Sequence, residues 1–182
     1  MEAPKRYVPE RVFPPYTFVP GKTPHPINDP AGHSSGADPP KPDPFDPHHW
    51  EKSVDYLYGV DLFNYGYYWE AHEVWEGLWH VTGHDSEPGL FLKGLIKLTA
   101  AGVKALQQND HGIRAHIAGA REIFHHFNKE FRYENYAGMK VPKLIRSTHS
   151  IDQHHGYELD EIRVVQARVF SGFLTLDERQ LP

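Results

Sequence analysis

Phe63-Asn64-Tyr65-Gly66-Tyr67-Tyr68-Trp69-Glu70-Ala71-His72-Glu73-Val74-Trp75-Glu76-Gly77-Leu78-Trp79 is the most informative stretch of this 182-residue chain. Asn64-Tyr65-Gly66 has the residues of a tight turn between antiparallel helices, and the chain beyond it reads as one helix from about Tyr67 to Val81. At about 100° per residue, Tyr68, Trp69, His72, Trp75, Glu76 and Trp79 fall on one arc, with Ala71, Val74 and Leu78 beside it. Glu70, Glu73, Gly77 and His80 make the only polar strip. A helix this apolar around its circumference has to be buried among others. His72 and Glu76, one turn apart and set among tryptophans, are then groups that must be hydrogen-bonded, paired or metal-bound.

Working outward, Asp46-Pro47 reads as an N-cap and first helical position, opening a helix that runs to about Leu62 or Phe63. On the other side Thr82-Gly83-His84-Asp85 ends the second helix, and Ser86-Glu87-Pro88 opens a third that continues to about Gln108. Asn109-Asp110 makes a turn. A fourth helix spans about His111 to Asn128, with Ile113, Ile117, Ala120, Ile123, Phe124 and Phe127 at helical spacing. The expected fold class is all-α, an antiparallel helical bundle built from two helical hairpins with an extended Pro-rich N-terminal arm. Residues 1–46 form that arm, 47–128 the four-helix core domain, and 129–182 a C-terminal extension packed on the core. The first 47 residues hold 13 of the 16 prolines, which excludes regular helix there. The arm also contains Tyr7, Val8, Val12, Phe13, Tyr16, Phe18 and Val19, side chains that need burial, so it is expected to wrap the body or a neighbouring subunit. Val141 to Arg146 reads as a short helix, while Glu158 to Leu176 carries helix and strand signals at once.

The formal net charge of −5 offers no basic field for phosphate backbones or anionic membranes, so neither nucleic acid nor membrane is an expected partner. There is no cysteine, which removes disulfides, thiolate metal sites and a cysteine nucleophile together. No apolar signal region comes after the first residues and no long apolar run occurs, making a cytoplasmic location the expectation. A homo-oligomer would give the arm's aromatics a place to bury.

Asp61 shares the arc of Trp50, Val54 and Leu57 on the first helix, and His116 that of Ile113, Ile117 and Ile123 on the fourth. If the helices bundle, Asp61, His72, Glu76 and His116 would converge. One reading is structural: His72 and Glu76 form an i, i+4 pair that locks helix register. The other is chemical. His72-Glu73-x-x-Glu76 resembles the zincin helix with its second histidine replaced by a carboxylate, making His72, Glu76 and His116 candidate ligands of a divalent metal such as zinc, and Glu73 the candidate catalytic base. Lys93, Lys97, Lys104 and Gln108 read as a solvated stripe, with a pairing of Lys97 to Glu73 or Glu76 as the alternative. No phosphate-cradling loop, nucleophile elbow or dinucleotide fingerprint occurs.

The run from Phe63 to Trp79, followed by Phe91-Leu92-Lys93-Gly94-Leu95-Ile96, resembles the bacterial and archaeal family called domain of unknown function 309, over about residues 50 to 128. The resemblance implies an all-helical fold whose His-Glu-x-x-Glu run sits on a central helix facing the Gly-Leu-Ile segment of the next, and it points to His72, Glu73, Glu76 and Trp79. Family members commonly carry glutamine where this chain has Lys97. The resemblance implies no reaction.

The leading expectation is a non-catalytic helical binding or scaffold protein whose aromatic groove, lined by Tyr68, His72, Glu76 and Trp79, accepts a small ligand, a peptide or another subunit. The alternative is a metal-dependent hydrolase using the His72/Glu73/Glu76 helix. Whether the chain is an enzyme stays open on sequence alone.

Overall fold

A computed structural model describes residues 3–38, 40–149, 151 and 168–177. A 3-10 turn, Trp50–Lys52, precedes four helices: α1 Val54–Asn64, α2 Tyr68–Thr82, α3 Glu87–Leu106 and α4 Asp110–Lys129. A two-residue hairpin, β1 Asn135–Tyr136 with β2 Met139–Lys140, leads into a short α5, Val141–Ser147. Each of the four long helices packs mainly on the next, as two hairpins joined through α2 and α3.

The caps explain the boundaries. Ser53 accepts from the Tyr56 amide, Ser86 from Gly89 and Asn109 from Gly112, each satisfying a first-turn N–H without a helical partner. The start expected at Asp46-Pro47 is therefore displaced. Asp46 instead accepts from the His48 amide and the His49 ring, closing a surface turn, and the helix begins only after Ser53. Gly66, at φ +86°, makes the reversal into α2 with the left-handed conformation a side chain disfavours. α4 is amphipathic as expected, burying Ile113, Ile117, Ala120, Ile123, Phe124 and Phe127. α1 has almost no polar side: every residue from Tyr56 to Asn64 is buried. It can be so because α2 covers one flank and the arm another.

The arm is part of the body. Asp61 of α1, fully buried, accepts from the amides of Tyr7 at 2.7 Å and Val8 at 2.9 Å and from Arg6 Nε at 3.0 Å. Glu70 of α2, also buried, accepts from the Thr17 hydroxyl at 2.7 Å and the Phe18 amide at 2.8 Å. Between and beyond these anchors Val8, Phe18, Val19 and Phe45 are buried, and Phe13 stacks on Tyr67 with 5.0 Å between ring centres. One sequence expectation is corrected here. Asp61 does not converge with His72 and His116, because the arm occupies it. The arm also covers Glu70, on the polar strip of α2.

The C-terminal segment is held in the same way. Asn64 donates to the Leu174 carbonyl and accepts from the Leu174 amide, both at 2.8 Å, imitating a backbone pairing. The Leu176 amide donates to the hydroxyl of Tyr7, so arm and tail meet. Of the stretch with mixed signals, 158–167 lies outside the described residues, while 168–177 is irregular chain, tied by isolated bridges at Phe170 and Leu176, that buries Val169, Phe170, Leu174 and Leu176.

A carboxylate without access to water is stable only while its donors remain, and removing it strands them in turn. Asp61→Ala is expected to cost roughly 3 kcal/mol of unfolding free energy. The same variant is expected to make residues 6–13 sensitive to limited proteolysis. Urea titration and peptide mapping of the cleaved protein check both; an unchanged midpoint with an uncut arm would contradict this dependence.

Candidate functional site

α2 presents three flanks. Inward lie Ala71, Trp75 and Leu78 with Tyr68, whose ring packs on Phe63 and Phe170 and whose hydroxyl accepts from the Val169 amide at 2.9 Å. Tyr68 is thus a core side chain. Gly102 of α3 allows this approach, since a Cβ there would stand 2.5 Å from the Tyr68 ring.

The second flank faces α3 and carries His72, Glu76 and Trp79. Thr99 donates its hydroxyl hydrogen to the Ile96 carbonyl at 2.6 Å, so in the 3.2 Å contact between Thr99 Oγ1 and His72 Nδ1 the hydrogen belongs to the imidazole. His72 Nε2 then faces the Glu76 carboxylate at 3.9 Å. Burial lowers the His72 pKa, a tendency the Glu76 charge opposes. His116 on α4 is lowered too, by burial and then by Lys97 and Lys104. Lys97 is not simply a solvated side chain, for it lies across Gly119 of α4. Trp79 stacks on His84, ring centres 3.7 Å apart, and its buried indole N–H has no hydrogen-bond partner among the described residues. Among the described residues no group of three or more His, Asp or Glu is placed to hold a metal ion, so His72, Glu76 and His116 are not gathered into a ligand set.

The third flank carries Glu70, Glu73 and Gly77, from the polar strip of the helix. It forms one wall of a pocket of about 400 Å³ between α1, α2 and the arm. Trp69 and Val74 add to this wall, Tyr58 and Asp55 come from α1, and Arg11, His33 and Pro42 come from the arm. Most of its charges are already matched. Arg11 donates to Asp55 at 2.6 Å while lying 4.0 Å over the Tyr58 ring. Glu70 holds Thr17 and Phe18 and is approached by His33 Nε2 at 3.3 Å, with His33 Nδ1 against Ser34 Oγ at 2.9 Å.

Glu73 is the exception. It is half-buried and makes no hydrogen bond or ion pair among the described residues. Burial raises its pKa above the ordinary carboxylate value, and the neighbouring charges of Glu76 and Glu70 add to that rise. Glu73 and His72 therefore serve different flanks of one helix, which separates the candidate base from the candidate ligands. The residues that sequence reading misses are those of the arm, Arg11, His33 and Pro42, whose proximity to α2 depends on long-range contacts. The one signal for them is that the arm's aromatics need a surface and the polar strip of α2 is the surface left.

A carboxyl group whose pKa is raised on folding favours the folded state while neutral, and that contribution is lost as pH rises through the raised value. Glu73→Gln, permanently neutral, is accordingly expected to melt above the wild type at pH 7. The difference should shrink as pH falls through the raised value and past the ordinary carboxylate value of 4.5, as the Glu73 carboxyl takes up its proton and becomes uncharged like glutamine. Thermal unfolding followed from pH 4 to pH 8 reads this directly. A variant less stable than wild type at pH 7 would show that Glu73 has a partner.

No curated protein and no solved structure matches the chain. A family model described as Domain of unknown function (DUF309) matches residues 56–115, which is 60 of the 182 residues. The match takes in most of α1, all of α2 and α3 and the start of α4, and leaves the arm outside. Over residues 56–115, then, this chain matches DUF309, the family that the run from Phe63 to Trp79 resembles.

Proposed function

We propose that this protein binds a small molecule in the pocket between its N-terminal arm and the α1–α2 hairpin. The observation that carries the proposal is Glu73: a half-buried carboxylate, unpartnered among the described residues, on the wall of a cavity of about 400 Å³. A structural role would have supplied donors, as it does for Asp61 and Glu70. The cavity falls within the usual range for small-molecule sites, roughly 300–1,000 Å³, and combines aromatic and apolar walls with a few placed polar groups. This pocket is not the groove expected around Tyr68, His72, Glu76 and Trp79, none of which lines it; its walls are Trp69, Tyr58, His33, Glu70 and Glu73, on the arm-facing flank of α2.

The pocket can be filled without disturbing the core. A Cβ at Gly77 would meet only Pro42 Cγ, at 4.0 Å, so Gly77→Leu projects into the cavity and also replaces a weak helix former with a strong one, a gain of up to about 1 kcal/mol. In a fragment screen followed by amide and indole NMR, wild-type ligands are expected to shift the Trp69 indole and the Ser34 and Gly77 amides. Gly77→Leu should keep or raise the melting temperature and abolish those shifts. The proposal fails if no fragment moves these resonances in the wild type, or if the filled variant binds as before.

A further inference from the structure

Resting on that reading, we infer that the ligand is a small organic cation, an amine or guanidinium attached to an apolar or aromatic body, with Glu73 as its counter-ion. Among the described residues the charges lining this one cavity do not balance. Arg11 is matched by Asp55. The Glu70 carboxylate has its oxygens occupied by two neutral donors from the arm and by the His33 ring, though its negative charge remains. Unpartnered among the described residues is the Glu73 charge, crowded by the like charges of Glu70 and Glu76 and facing the pocket. An anionic ligand would add a further negative charge to that wall. A neutral one would leave Glu73 buried deeper and still unpaired, the costliest arrangement for a charge. A cation neutralises it, and the gain increases as the ligand excludes water from the pocket.

The wall also displays the chemistry in miniature. The Arg11 guanidinium sits between the Tyr58 face, at 4.0 Å, and the Asp55 carboxylate, at 2.6 Å, an aromatic surface and an acid gripping a delocalised cation from two sides. Trp69 and Glu73, one turn apart on α2, offer the same pair of groups; the Phe18 and His25 rings pack edge-on against Trp69, and no cation lies between Trp69 and Glu73 among the described residues. Apart from Ser34, the rest of the lining, including Pro14, Ile27 and Val74, is apolar and suits a hydrocarbon body behind the charged head.

Three probes of one shape separate the possibilities: 2-phenylethylamine, 2-phenylethanol and 3-phenylpropanoate, titrated into the full chain at pH 7.5 by calorimetry with the pocket resonances followed by NMR. The amine is expected to bind at least about tenfold more tightly than the alcohol, and the carboxylate more weakly than either. Glu73→Gln should lower amine affinity about tenfold and leave the alcohol unaffected, while Glu73→Asp should recover part of the loss. Equal binding of amine and alcohol, preference for the carboxylate, or undiminished amine affinity in Glu73→Gln overturns the cation inference while leaving the pocket as a binding site. Pocket resonances unmoved by all three probes, and by the wider fragment set, would overturn the binding reading with it.

Discussion

Two carboxylates hidden from solvent, Asp61 and Glu70, have donors because the N-terminal arm supplies them, and the rest of the structure depends on that exchange. A buried charge is tolerated only when hydrogen-bond donors surround it. The arm in turn is a proline-rich chain that cannot make helix or ladder, so its few inward amides need acceptors from elsewhere. The amides of Tyr7, Val8 and Phe18 meet the two carboxylates, and each side satisfies a need of the other. Asn64 does the same for the Leu174 backbone. The α1–α2 hairpin is thus the hub onto which both irregular segments are tied. The pocket exists because the arm is fastened at Asp61 and Glu70 and again where the Phe45 amide meets Thr82, and spans α2 between these points.

α2 shows how one helix can carry different chemistry on neighbouring flanks. Against α3, His72 has a partner for Nδ1 in Thr99, and the Glu76 carboxylate lies 3.9 Å from its Nε2. Against the arm, Glu73 has no such partner among the described residues. The contrast between a polar group the fold has satisfied and one it has left open distinguishes architecture from a binding function better than residue type does.

Much of the helical architecture is legible in the sequence because it rests on local rules. The Ser86 and Asn109 caps, the Asn64-to-Gly66 reversal and the 3.6-residue spacing in α4 act over a few residues and are visible in a few residues. The onset of α1 is harder to read because Asp46-Pro47 and Ser53 both carry capping chemistry, and only the packing of Trp50 and Phe45 against the body decides between them. The site is less legible still. Glu70 and Glu73 look alike on a helical wheel, yet one is buried under Thr17 and Phe18 and the other opens on a cavity, a difference set by contacts about 50 residues apart in sequence. The wheel places Asp61 on a buried arc, but burial does not name the partner, and the partner comes from the arm instead of from α2 or α4. The three tryptophans of α2 draw attention to the His72 arc, while the pocket lies along the polar strip.

Native-state hydrogen exchange tests most directly whether the arm is an integral part of the fold. The amides of Tyr7, Val8 and Phe18 are expected to exchange as slowly as core amides of α1 such as Leu62, and to be released only by global unfolding. Exchange of these three amides at rates typical of an unstructured chain, with α1 still protected, would contradict it.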